Sequence, residues 1–192
     1  MRSSSLTVLV AICLFSIQAR AGGETNQLQC SEDAVLIFDA SGSMNEIWMP
    51  GMRRIEAARA ASHQIIPRAA GSRRMGLMTF GPGPRDQCSN VSLKVPVQVR
   101  ATKPILDELD STPTDGGTPL TLAVEAAADV LDHRRKKGVV VIVTDGEETC
   151  GRDPCAVARE LRESTSKLTI HVIGIDTGRA HKISCLAEET NG

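Results

Sequence analysis

Residues 34–43 read Ala34-Val-Leu-Ile-Phe-Asp39-Ala-Ser41-Gly-Ser43, an unbroken apolar run that stops at a carboxylate and then sets out two hydroxyls. An apolar run of this length, rich in branched residues, reads as a strand buried on both faces of a sheet. The pattern returns at residues 139–144 (VVVIVT), which end at Asp145, and again at residues 168–175 (LTIHVIGI). Residues 75–80 (MGLMTF) form a further strand, and residues 91–99 (VSLKVPVQV) alternate around Pro96, which assigns them to a sheet edge. The turn-rich segment 81–90 then joins these two as an edge hairpin.

Helical patterns lie between the strands. Residues 52–66 bring Met52, Ile55, Ala58, Ile65 and Ile66 near one face, and Pro67 is expected to stop the helix. Residues 119–132 open with Pro119 after Thr118 as N-cap, and carry a stripe of Leu120, Val124, Ala127 and Leu131. Residues 154–164 and 103–109 complete the set. Strand alternating with helix predicts a doubly wound α/β domain: a mostly parallel sheet, helices on both faces, and one antiparallel edge strand. Such sheets bind ligands outside the carboxyl ends of their strands. Asp39 and Asp145 both stand there.

The bulk composition narrows the function. The 192 residues are 41% hydrophobic and 23% charged, which suits one domain with one core. Twenty-two Lys and Arg nearly balance 23 Asp and Glu, so no strong field points to nucleic acid or an anionic membrane. The aromatics are Trp48, Phe15, Phe38 and Phe80, too few for a base-stacking platform.

The N-terminus reads as an export signal. Arg2 precedes the apolar run Leu6 to Ile17, and Ala19-Arg20-Ala21 offers small residues where a signal peptidase cuts. A run of about 12 residues is too short to span a bilayer core of ~30 Å. Residues 1–21 are therefore expected to be a cleaved signal peptide, in preference to an uncleaved anchor, with 22–30 a short lead and 31–192 the domain, in a secreted or periplasmic protein with no span in the mature chain. Cysteine usage agrees. Cys30, Cys88, Cys150, Cys155 and Cys185 follow the signal, and an exported chain oxidises its thiols. The nearest pair, Cys150 and Cys155 around Gly151 and Pro154, is the expected local disulfide, preferred to a zinc site. Five being odd, one thiol is left free, paired between chains, or without its neighbour.

The chemistry gathers at the strand ends. Asp39, Ser41 and Ser43 alternate on a loop where Gly42 permits a tight turn. Gly116-Gly-Thr118-Pro-Leu120 offers a third hydroxyl at a helix start, and Thr144-Asp145-Gly146 a second carboxylate at a strand end. Three hydroxyls and two carboxylates make the hard oxygen shell that Mg²⁺ or Ca²⁺ prefers, and oxygen-only ligation argues against zinc and copper.

With these residues in place the chain resembles the von Willebrand factor type A domain, the integrin I-type fold, over residues 31–192. The motifs are IFDASGSM (37–44), GLMTFG (76–81), GGTPL (116–120) and VTDGEETCGRDPC (143–155), and they resemble the bacterial exported members. The resemblance implies a metal-ion-dependent adhesion site. Asp39, Ser41 and Ser43 would form the first ligand loop with the two serines contacting the metal directly, Thr118 would bind directly or through water, and Asp145 would bind it directly or stand just behind the ligands. It implies Mg²⁺, with Ca²⁺ or Mn²⁺ as substitutes, and an extracellular protein or matrix partner whose carboxylate fills the remaining position. The family normally continues into a last strand and helix beyond the point where this chain reaches Gly192, so a short gene product and a fragment are both open, and Cys185 is the candidate for the thiol without its neighbour.

Other residues take plainer readings. Asp115, Glu147 and Glu148 read as solvated rim acids. Trp48 is evenly balanced between an exposed partner anchor and a lid over the first helix. His63, His133, His171 and His181 show no metal spacing, and Arg134 to Lys137 close a helix before Gly138. The expected protein is a non-enzymatic binding module. The alternatives are a metal-dependent hydrolase on the same rim, or an assembly subunit of an exported complex. For the hydrolase, Ser41 stands where a phosphatase loop has its second Asp, the serine-hydrolase elbow lacks its leading Gly, and no phosphate-binding Gly-Lys-Ser/Thr is present.

Overall fold

A computed structural model describes residues 32–83, 88–146, 148–164, 167–175 and 183–192. Residues 1–31, and with them the expected signal peptide, the lead and Cys30, lie outside the described residues, as do Glu147 and His181. The elements in chain order are β1 (Asp33–Asp39), β2 (Ile47–Met49), β3 (Met52–Arg53), α1 (Arg54–Ser72), β4 (Met75–Phe80), β5 (Val91–Gln98), α2 (Thr102–Ser111), α3 (Leu120–Val130), β6 (Gly138–Thr144), α4 (Pro154–Ser164), β7 (Leu168–Gly174) and α5 (Cys185–Thr190). A single 3₁₀ turn, Gly42–Asn45, follows β1.

Five strands form one sheet in the order β5-β4-β1-β6-β7. β1 pairs in parallel with both β4 and β6, β6 pairs in parallel with β7, and only β5 runs antiparallel, against β4. This is the expected doubly wound, three-layer α/β arrangement. The alternation along β1 shows why its apolar run is unbroken. Val35 and Ile37 join the core under α3, α4 and α5, whereas Ala34, Leu36 and Phe38 join the core under α1 and α2. Each fully buried side chain of this size contributes about 1.5–3 kcal/mol of burial. The chain order turns back at β1, so the ends of β1 and β6 form the crevice where such sheets place their ligands.

Three local expectations are corrected. Pro67 does not stop α1, which runs on to Ser72. The carbonyl that Pro67 leaves without its N–H belongs to His63, on the exposed side, while Ile66 and Ala70 hold the last turns to the core. The apolar face of α1 is Ile55, Ala58, Ile66 and Ala70, and Ile65 is instead 54% exposed. Met52 and Arg53 belong to β3, and the helix opens at Arg54 with the Arg53 N–H donating to Glu56 Oε2 at 2.7 Å.

The cysteines supply the fourth correction. Cys150 does not pair with Cys155. Cys88 pairs with Cys150 and Cys155 with Cys185, so Cys185 has a partner after all. Gly151 turns the chain at φ +79° and α4 starts at Pro154, sending the two neighbouring cysteines to different places. One fastens the β6 loop to the β4–β5 connection, and the other fastens α4 to α5. By chain entropy alone, closing loops of this size stabilises by roughly 3.5–4.5 kcal/mol each. Among the described residues, no helix is long and apolar enough to cross a membrane.

Candidate functional site

Asp39 is the last residue of β1, and its side chain is fully buried. Its Oδ1 accepts the Ser41 N–H at 2.8 Å, which bends the chain into the 3₁₀ turn, and its Oδ2 accepts the Thr144 hydroxyl at 2.5 Å. Burial pushes the Asp39 carboxyl up to about 6, against the opposing pull of its hydrogen bonds from Ser41 and Thr144. Met44, wholly buried, anchors the turn to the core and leaves Ser41 and Ser43 on its rim.

The hydroxyls lead to the second carboxylate. Ser41 Oγ lies 3.1 Å from Ser43 Oγ, and Ser43 Oγ donates to Asp145 Oδ1 at 2.8 Å. Asp145, also fully buried, follows β6, the strand beside β1. The Ser41 and Ser43 hydroxyls and Asp145 thus form one run of oxygens across two strand ends, and the Ser41 N–H ties Asp39 to its start. Thr118 is buried on the neighbouring loop, where its N–H donates to Thr149 Oγ1 at 2.7 Å. Among the described hydrogen bonds, none joins its hydroxyl to the other four residues. Nor does it cap α3, since Pro119 occupies the cap position without a side-chain bond.

Glycines allow three loops to stack. The Gly42 N–H donates to Gly116 O, the Asp115 N–H to Ala40 O, and the Ala40 N–H to Phe80 O. Gly81 sits at φ +115°, and a Cβ there would fall 2.4 Å from the Ser41 nitrogen. Gly116 sits at φ +76°, and its Cβ would fall 1.8 Å from Gly81 O. The glycines of GLMTFG and GGTPL are the points where backbone presses on backbone.

The structure adds residues that the sequence did not single out. Arg54 is 6% exposed, and its Nη1 donates to Asp145 Oδ2 at 2.8 Å, to Glu46 Oε2 at 2.8 Å and to Ser43 O at 3.1 Å. Its only signal was a pair of arginines at a helix start. Thr144, the Asp39 donor, was visible only as the last residue of a strand. Glu148 is not the solvated acid expected. It accepts the N–H and hydroxyl of Thr121, each at 2.7 Å, and so caps α3 from the β6 loop, and its other oxygen accepts the Cys150 N–H. Asp115 is exposed, as expected.

Trp48 is 43% exposed on the β2–β3 hairpin, between Ile47 at 70% and Met49 at 41%. Two of the histidines fill ordinary roles: His63 faces Asp110, and His133 is buried against Ala128 O.

The donor set fits a hard divalent cation: carboxylate and hydroxyl oxygens in mutual contact, with both carboxylates withdrawn from water. Among the described residues no cluster of three or more His, Cys, Asp or Glu side chains offers a rival metal site.

Known proteins carry the same fold. Two Bacillus subtilis (strain 168) proteins are similar in sequence. The uncharacterized protein YwmC is 27% identical over 78% of this chain and 69% of its own. The uncharacterized protein YwmD is 26% identical over 86% and 77%. Among solved structures, the SpRpn10 VWA domain superposes with a TM-score of 0.61 at 15% identity, over 81% of this chain and 82% of that one. Manganese-loaded TRAP protein of Plasmodium vivax gives 0.60 at 19% identity, over 81% and 61%. Proximal thread matrix protein 1 of the mussel byssus, with a zinc-occupied MIDAS motif, gives 0.61 at 19%, over 83% and 39%. This chain thus spans under two thirds of the last two. The family model for the von Willebrand factor type A domain matches residues 34–148, through β1, the stacked loops and the end of β6, and the chain belongs to that family.

Proposed function

We propose that this chain is an exported, non-enzymatic binding domain that engages a protein or matrix component through a divalent cation. Asp39, Ser41, Ser43, Thr118 and Asp145 would hold the ion. The observation that carries the reading is the hydrogen-bonded chain at the ends of adjacent strands, in which the Ser41 N–H ties its residue to Asp39 and the Ser41 and Ser43 hydroxyls lead on to Asp145.

The physical logic lies in charge. The hydroxyl ligands are neutral, and one of the two carboxylates already shares an arginine. A cation held there keeps uncompensated positive charge and attracts an acidic group of a partner. Mg²⁺ is the preferred ion, with Ca²⁺ and Mn²⁺ as substitutes. Zinc belongs in the competition too, because the mussel protein carries it at its motif despite the hardness of oxygen ligands.

Two further observations support a binding role. The exposed Ile47, Trp48 and Met49 begin four residues after Ser43 and offer apolar contact beside the polar rim. The two disulfides suit an oxidising compartment, which agrees with the export signal read at residues 1–21.

Titration with Mn²⁺ by calorimetry tests the site. Wild-type chain is expected to bind one ion and to gain thermal stability, both abolished by chelator and by Asp39→Ala. Heat and stability changes that survive Asp39→Ala would overturn the site, and steady turnover of an ester or phosphoester panel would overturn the non-enzymatic reading.

A further inference from the structure

Arg54 occupies a position that helix energetics do not explain. It is the first residue of α1, where the helix dipole disfavours a positive side chain, and it is almost wholly buried. Its Nη1 instead reaches into the crevice between the β1 and β6 ends, to Asp145 Oδ2 and to the Ser43 carbonyl. Asp145 therefore divides its two oxygens. Oδ2 goes to the guanidinium, and Oδ1 to the hydroxyl of Ser43.

We propose that Arg54 is a resident counter-cation that competes with the divalent ion for Asp145 and thereby sets the affinity of the site. The inference rests on the metal reading given above. Burying the Asp145 carboxylate is costly unless its charge is paired, and Arg54 pairs it without any ion. An ion that arrives meets a positive neighbour already bonded to one of its ligands. It must either tolerate that repulsion or draw Asp145 away from Arg54, and its affinity falls in both cases.

Glu46 adjusts the competition. Its carboxylate takes the same Nη1 at 2.8 Å, and the Glu46 carbonyl accepts the Arg54 N–H, closing the base of the β2–β3 hairpin. The Glu46 side chain is 56% exposed, so its influence is screened by solvent and is the smaller of the two. It lowers the net positive charge that Arg54 presents to the ion. The site is tuned from the root of the hairpin that carries Ile47, Trp48 and Met49.

The sign of the effect separates this role from a structural one. Mn²⁺ is titrated by calorimetry into the wild-type chain and the Arg54→Gln, Arg54→Lys and Glu46→Gln variants, and thermal unfolding is followed with and without the ion. Arg54→Gln is expected to unfold at lower temperature without metal, yet to bind Mn²⁺ about tenfold tighter and to gain more from it. Arg54→Lys, which keeps the charge, stays near wild type. Glu46→Gln binds about two- to threefold more weakly with its metal-free unfolding little changed, and it reads the same coupling if Arg54→Gln does not fold. Equal or weaker binding by Arg54→Gln would overturn the inference while leaving the metal site standing. Failure of both wild type and Arg54→Gln to bind Mn²⁺ would remove the metal reading and the inference together.

Discussion

The ends of β1 and β6 lie side by side, and each finishes in a carboxylate shut away from water, yet the two are satisfied by opposite means. Asp39 at the β1 end is held by neutral donors, the Ser41 N–H and the Thr144 hydroxyl. Asp145 at the β6 end is held by the cation Arg54 as well as by the Ser43 hydroxyl. Two acids so close in a low dielectric repel each other, and a site with both uncompensated would favour protonation or opening. Compensating one with a charge and the other with dipoles keeps the pair assembled when no ion is bound. Burial raises the Asp39 carboxyl, with a smaller push from the neighbouring Asp145.

Breaking the charged side should have the larger effect. Arg54→Met leaves Asp145 buried without its cation and is expected to destabilise the metal-free protein by about 3–5 kcal/mol, read by urea unfolding in chelator. A loss below about 1 kcal/mol would mean that Asp145 finds solvent easily and that the two ends do not differ as described.

On the neutral side, Gly81→Ala forces a Cβ against the Ala40–Ser41 backbone that bonds Asp39. It should lower stability by about 3 kcal/mol, measured the same way, since both the positive φ and the close contact resist it. Thr144→Val removes one neutral donor from Asp39 and is expected to lower stability by about 2 kcal/mol. The smallest change is expected of Asp39→Asn. It swaps a buried charge for a neutral amide of the same shape and should alter metal-free stability by less than about 1 kcal/mol. Mn²⁺ binding, followed by calorimetry, should nevertheless be lost. A large stability loss in Asp39→Asn would show that the neutral side depends on the charge after all.

The positions of the two carboxylates were legible in the sequence, the means by which each is satisfied was not, and the difference has physical causes. The strands were readable because a sheet covered on both faces leaves no polar side for an alternating pattern. Asp39, Ser41, Ser43 and Asp145 were readable because short loops between fixed strand ends hold chemistry at set spacings. Arg54 was not. Arg53 and Arg54 look alike as letters, and only the packing of α1 turns one outward and buries the other. Glu148 belongs to the same class, because its partner Thr121 is remote in sequence and the two meet only when the β6 loop crosses the start of α3. Pro67 misled for a different reason. A proline ends a helix only where its neighbours fail to hold the backbone, and Ile66 and Ala70 hold it here. Thr118 was readable as a motif residue, but its hydroxyl makes no bond to the other four among the described contacts.

The cysteine pairing carries a consequence for how the molecule is made. Cys150 and Cys155 are five positions apart, whereas the native partners are separated by 62 and 30. Loop closure favours the short pair, so an oxidant acting on the unfolded chain would trap Cys150 with Cys155 and consume one cysteine from each native bridge. Escape requires thiol–disulfide exchange, in which a thiolate such as that of Cys88 or Cys185 attacks the trapped pair. Oxidative refolding of the reduced chain should therefore accumulate a Cys150–Cys155 species, identifiable by peptide mapping, and a disulfide isomerase should shorten its lifetime. Refolding that passes directly to the two native bridges would show that the sheet assembles before the thiols meet. In the first case the rim around Asp145 is the last part of the molecule to mature, and its competence depends on a reshuffling catalyst rather than on folding alone.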